Sequence, residues 1–147
     1  MHENHYRRLA VMLLLSFITM YALMYAMVDT FGNVYMNLNQ VYMAALMTAP
    51  MAMIEIAVMR GMYKDARLNR LILGGAALLI AGAWIGIRQQ VLITDAQFLR
   101  SMIPHHAGAM LMCGRAPVED PAVQTLCKTI LASQQAEIGR MKSLLDR

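Results

Sequence analysis

Three long, almost uncharged apolar runs constrain this chain more than any other feature. Residues 9–28, 40–59 and 71–87 approach or reach the roughly 20 residues that a helix needs to cross the hydrocarbon of a bilayer. Inside a bilayer every backbone N–H and C=O must be bonded within its own segment, so such runs are helices. Composition agrees: 59% of the residues are hydrophobic and only 15% charged, against about 25% charged in a soluble domain. The first run follows a polar leader ending in Arg7-Arg8. Its core is too long for a signal peptide and no small-x-small cleavage pattern follows, so an uncleaved span is expected. The second carries Pro50, which removes a helix hydrogen bond and should kink or loosen the helix. It also carries Glu55 near its far end, where Arg60 or water could satisfy the carboxylate. In the third, Gly74, Gly75, Gly82 and Gly86 favour close helix packing, and Trp84 and Arg88 stand where interfacial anchors belong.

Charge sets the orientation. The net charge of +4 does not gather on one face, and no nucleic-acid motif, phosphate-cradling loop or nucleophile elbow is present. The partner is instead the lipid bilayer, with no nucleic acid expected. Arg7-Arg8 and the loop at 60–70, with Arg60, Lys64, Arg67 and Arg70 against Asp65, belong inside. The loop at 29–39 has no Lys or Arg and belongs outside. Three spans then put the tail on the outer side. The expected architecture is an all-α membrane protein: a membrane domain over 1–93 and an extracytoplasmic helical hairpin over 94–147. In a bacterial inner membrane, the N-terminus would be cytoplasmic and the tail periplasmic.

Thr94 followed by Gln97 is the pattern of a capping box. Phe98, Met102, His105, Ala109 and Met112 then recur at helical spacing, one face of a helix. Pro104 either kinks that helix or lies at its beginning. Gly114 and Pro117 end it, and Asp120-Pro121 supplies an N-cap and first helical position for the next. Val123, Cys127, Ile130, Gln134, Glu137, Met141 and Leu144 make its stripe. A hairpin this short buries little core by itself, so a second copy completing a four-helix bundle, or docking on the spans, is expected.

Potential metal ligands concentrate in the segment Met102-Ile103-Pro104-His105-His106, continuing to Met112-Cys113. With 16 Met against 9 acidic residues in the chain, the donors on offer are soft. Imidazole with thioether suits copper, and thioether or thiolate selects Cu(I). His105 shares the stripe with Met102 and Met112 and is expected to point inward; His106 is turned about 100° away and would serve a second metal or a neighbouring chain. Gln134, Glu137 and Met141 can add ligands or orient an imidazole from the other helix. The bland reading is that Met102, Met112 and Met141 fill the core. Cys113 and Cys127 flank the turn and read first as a disulfide, with a thiolate pair for Cu(I) as the competing reading. Met20, Met24, Met27, Met36, Met43, Met47 and Met51 read as packing or lipid-facing residues before they read as a copper path. Nothing is assigned to His2 or His5.

Phe98-Leu99-x-x-Met102-Ile103-Pro104-His105-His106-x-x-Ala109-x-x-Met112, then Asp120-Pro121, then Ile130-x-x-x-Gln134-x-x-Glu137-Ile138-x-x-Met141, resembles the ferritin-like family catalogued as domain of unknown function 305. The resemblance covers the tail, about a third of the chain. It implies an extracytoplasmic ferritin-like half-bundle that binds copper, with His105, His106, Met112 and Met141 as ligands and Met102 next. Family domains often have more than one hairpin, and often Ala where this chain has Cys113 and Cys127.

The expectation is therefore a membrane-anchored periplasmic copper-binding protein for sequestration or handover, not an enzyme. It would exchange copper with a periplasmic copper-handling protein and pair as a homodimer or higher oligomer. The alternative is a structural or accessory membrane subunit whose hairpin mediates assembly without metal. A transporter is disfavoured, because three spans show no inverted repeat.

Overall fold

The computed structural model describes residues 3–147, so the first histidine, His2, lies outside the described residues. Five α-helices follow one another: α1 (Glu3–Leu23), α2 (Leu38–Val58), α3 (Ala66–Gln89), α4 (Asp95–Arg115) and α5 (Pro121–Leu145). Two short 3₁₀ turns, Met24–Met27 and Phe31–Asn33, lie between α1 and α2. No strand occurs among the described residues. The chain divides into two compact units, one of residues up to Leu23 with Asn39–Leu92, the other of Met24–Leu38 with Ile93–Arg147. The segment 24–38, expected within the membrane domain, thus groups with the C-terminal helices.

In the first unit α2 is the most enclosed helix. Its face of Ala44, Ala45, Thr48, Ala49, Ala52 and Ile56 is buried; small side chains there let the helix backbones approach. Ala49 and Ala52 meet Ala76 of α3, with Leu13 of α1 packed on the same cluster. Leu14 is 60% exposed, Ile54 61% and Leu78 75%. Apolar area of that extent in water marks a surface meant for another phase. His5–Met27, Leu38–Val58 and Ala66–Gln89 are all long and apolar enough to cross a membrane. The helix α2 continues through Pro50 without a break in its assignment.

Of the four glycines expected to mediate close packing, only one does. A Cβ on Gly86 would lie 3.0 Å from the Tyr42 ring, whereas Gly74, Gly75 and Gly82 have nothing within 4 Å of that position. Asp65 caps α3, accepting from the backbone of Arg67 and Leu68 at 2.9 and 3.0 Å. At the other end Gln90 closes α3 in the left-handed conformation (φ 50°). The Tyr63 hydroxyl, and not Arg60, reaches Glu55, donating to its carboxylate at 3.3 Å. Burial, and then the negative charge of Glu55, push the Tyr63 hydroxyl above its ordinary range, since both disfavour a second negative charge there.

The second unit is built on α4 and α5. Ile103 and Ala107 of α4 and Ile138 of α5 form its buried centre, with Met110, Met141 and Leu145 packed around them. The turn-rich segment also contributes Val28 and Tyr35 to that cluster. Gln97 accepts from the Leu38 backbone at 2.9 Å, and the Lys142 ammonium donates to the Gly32 carbonyl at 3.0 Å. The helical pair therefore obtains part of its core from residues 24–38 of its own chain, a source the sequence reading did not include.

Candidate metal centre

Local sequence fixes where α4 and α5 begin. Thr94 caps α4, its hydroxyl accepting from the Gln97 backbone at 3.4 Å. Only this half of the capping box forms, since the Gln97 side chain is turned to Leu38. Asp120 caps α5, accepting from Ala122 and Val123 at 2.7 and 3.3 Å. Pro104 is buried in the interior of α4, so the reading in which the helix begins there is corrected.

The phase of α4 is the larger correction. His106 is buried at 6% exposure, while His105 is exposed. The stripe that is buried or half-buried on the core is Ile103, His106, Ala107 and Met110; of the expected stripe Phe98, His105 and Met112 are turned outward, with Phe98 50% and Met112 52% exposed, while Met102 and Ala109 are half-buried. Both stripes are apolar and lie about 100° apart. The inward one wins because Ile103 and Ala107 carry no polar atoms to bury, and because both ring nitrogens of His106 find partners. Its Nδ1 lies 2.9 Å from the Met102 carbonyl oxygen. A carbonyl only accepts, so Nδ1 carries the hydrogen. Its Nε2 lies 2.7 Å from Glu137 Oε2. A carboxylate likewise accepts, so a proton lies between Nε2 and Glu137. With Nδ1–H anchored to a carbonyl, Nε2 is the nitrogen that a metal would take once that proton leaves.

The remaining expected residues divide around this pair. Met141 is half-buried on the same core cluster. Met102 is half-buried and supplies its carbonyl to His106. Gln134 is half-buried on α5. The Glu137 side chain is 54% exposed, so it can swing away from Nε2 into solvent. His105 lies with its ring centroid 6.1 Å from that of His106. Cys113 and Cys127 are joined as a disulfide with Cα atoms 5.1 Å apart; so paired, neither has a thiolate to give a metal. Closing a loop of that size stabilises by about 3 kcal/mol.

Met110 lies in the ligand-rich segment but outside the expected ligand set; it packs on the Ile103–Ala107–Ile138 cluster. Its signal was present: it lies four residues after His106, on the same helix face. Among the described residues no three His, Cys, Asp or Glu side chains converge on a common point. A hard cation or a zinc ion would need such a set. The donors on this part of the helical pair are the His106 imidazole, the thioethers of Met110 and Met141 on the Ile103–Ala107–Ile138 cluster, and one exposed carboxylate. That is a soft set suited to Cu(I).

Comparison with known proteins gives a consistent family. No solved structure matches the chain. A protein of Acanthamoeba polyphaga mimivirus, described as Uncharacterized protein L153, is 32% identical over 139 residues, covering 92% of this chain and 90% of the relative. The family profile described as Domain of unknown function (DUF305) matches residues 26–145, so the likeness runs far upstream of the tail, through α2 and α3. Nearly the whole chain after α1 is covered by that match, and the protein belongs to this family, Domain of unknown function (DUF305).

Proposed function

We propose that this protein is a membrane-anchored copper-binding protein whose C-terminal helical pair holds Cu(I) for sequestration or handover. The three apolar helices anchor it in a bacterial inner membrane, with the basic 60–70 loop on the cytoplasmic side and α4 and α5 in the periplasm. The observation that carries the reading is His106: a buried imidazole anchored through Nδ1 to the Met102 carbonyl, with Nε2 held by the exposed Glu137 carboxylate. When Glu137 turns outward and takes with it the proton it shares with Nε2, that nitrogen's lone pair is free to coordinate, and Met110 and Met141 stand on the core cluster beneath with polarisable sulfur. Met102 is the next thioether on that helix.

The experiment is Cu(I) uptake by the purified full chain in detergent under anaerobic conditions that leave the Cys113–Cys127 disulfide intact. The double variant His105→Ala, His106→Ala should bind less Cu(I) per chain than wild type, with the single variant His106→Ala accounting for most of the loss. Copper content unchanged by the double variant sinks the proposal.

A second reading draws on the outward stripe. Phe98, His105 and Met112 are exposed along α4 with no charged residue among them. A second copy laid on that face would complete a four-helix bundle and bring paired His105 and Met112 side chains together. In this reading the helical pair is an assembly element with or without metal. Chemical crosslinking through α4 then persists in the double-histidine variant, whereas Phe98→Glu abolishes it.

A further inference from the structure

The first unit holds a cavity of about 220 Å³ near the beginning of α1. His5, Met12, Glu55, Met59, Met62 and Tyr63 line it, together with Leu9 and Arg8. These residues come from α1, from the last turn of α2 and from the loop that follows, so the fold, and not local sequence, assembles them. The Nδ1 of His5, one of the lining residues, is shut off from solvent and meets no hydrogen-bond partner among the described residues. Buried polar atoms are rarely left in that state, and one that is calls for an ion or a water. Three methionines, Met12, Met59 and Met62, line the cavity together with His5. Met12 and Met62 are half-buried against the Leu9–Ile56–Tyr63 cluster, and Met59 is 38% exposed.

We propose that this cavity is a second soft-metal site, taking a monovalent d¹⁰ cation, Cu(I) or Ag(I), through His5 and the Met12, Met59 and Met62 sulfurs. The donor chemistry excludes the common alternatives. Among the described residues Glu55 is the only carboxylate lining the cavity, too few for Mg²⁺ or Ca²⁺, and no thiolate lines it for a structural zinc. One imidazole with thioethers is the combination that favours Cu(I). The single negative charge of Glu55 balances one positive charge, and the Tyr63 hydroxyl fixes that carboxylate at the cavity wall. Arg8 is exposed, so solvent screens its charge. The site shares no residue with the helical pair and stands independently of the reading given for it.

The test uses the full chain in detergent, titrated anaerobically with Cu(I) against a competing chromophoric chelator. The cavity variant is His5→Gln, Met59→Leu, Met62→Leu, in which each replacement keeps approximate volume. It is made in the wild-type background and in the His105→Ala, His106→Ala background. About one Cu(I) per chain should be lost in both backgrounds, as one site with this donor set predicts. Equal copper binding with and without the cavity changes overturns the proposal. If the double-histidine variant binds like wild type while the cavity variant loses copper, the cavity site stands and the reading of the helical pair fails. A second measurement does not depend on the cavity variant folding. X-ray absorption of the Cu(I)-loaded double-histidine variant should show mixed nitrogen and thioether coordination; a sphere without both overturns the assignment.

Discussion

His105 and His106 are adjacent in sequence but have different environments, and their replacement should separate accordingly. His106→Ala removes a buried ring with two hydrogen-bonded nitrogens and opens space beside Ala107. A loss of about 2 kcal/mol in the stability of the metal-free protein is expected. His105→Ala alters an exposed side chain and should change stability by less than about 0.5 kcal/mol. Thermal unfolding followed by circular dichroism compares them; equal losses, or a larger loss for His105→Ala, would overturn the assignment of His106 as the inward residue. Tyr63 gives the pH dependence. Its raised hydroxyl pKa keeps the proton in the folded protein at pH values where the unfolded chain releases it. The contribution to stability is therefore complete below the unfolded value of about 10 and is lost as pH rises through the higher folded value. Ultraviolet titration should show a tyrosine ionisation above the ordinary range, and Tyr63→Phe should remove it.

At the scale of elements, close packing in the first unit is concentrated at one contact. The Tyr42 ring lies against Gly86, and its hydroxyl is held by the Val91 carbonyl at 2.7 Å. A methyl group at position 86 therefore meets a ring that cannot move freely. Gly86→Ala should destabilise by about 1–3 kcal/mol, while Gly82→Ala, with open space around it, should be neutral or slightly stabilising through helix propensity. The comparison of the two melting temperatures checks this. Four glycines in one apolar run read alike in sequence, because their spacing says that a helix can be approached closely but not where a partner ring will stand. The same holds for α4. Thr94 and Asp120 marked the starts of α4 and α5 because a cap is a local hydrogen-bonding event, while the face that α4 buries depended on Ile138 and Leu145, more than thirty residues away in the chain.

For the whole molecule, charge asymmetry leads to a directional expectation. Cysteines introduced at Lys64 and at Ser143 should react with a membrane-impermeant maleimide from opposite sides of the membrane, Ser143→Cys from the outer side. Labelling of both from one side would overturn the proposed topology. The native cysteines do not interfere, since Cys113 and Cys127 are bonded to each other. The grouping of 24–38 with α4 and α5 adds a constraint on any truncation. A fragment beginning at residue 94 lacks Val28 and Tyr35 of its own core, so studies of the helical pair require the full chain.

The sequence by itself determined the all-helical class, the three apolar segments, the caps of α4 and α5 and the soft character of the donors. These follow from length, hydropathy, local hydrogen bonding and side-chain chemistry, all properties of neighbouring residues. Only the tertiary structure decided which of two adjacent histidines turns inward, that Met110 joins Met141 on the core cluster, and that Glu137 meets His106 and not His105. It also brought His5 to Met59 and Met62, residues more than fifty positions apart that no motif connects. The physical reason is the same in each case. A helix offers several usable faces about 100° apart per residue, and the choice among them is made by non-local packing and by whether each buried polar atom finds a partner.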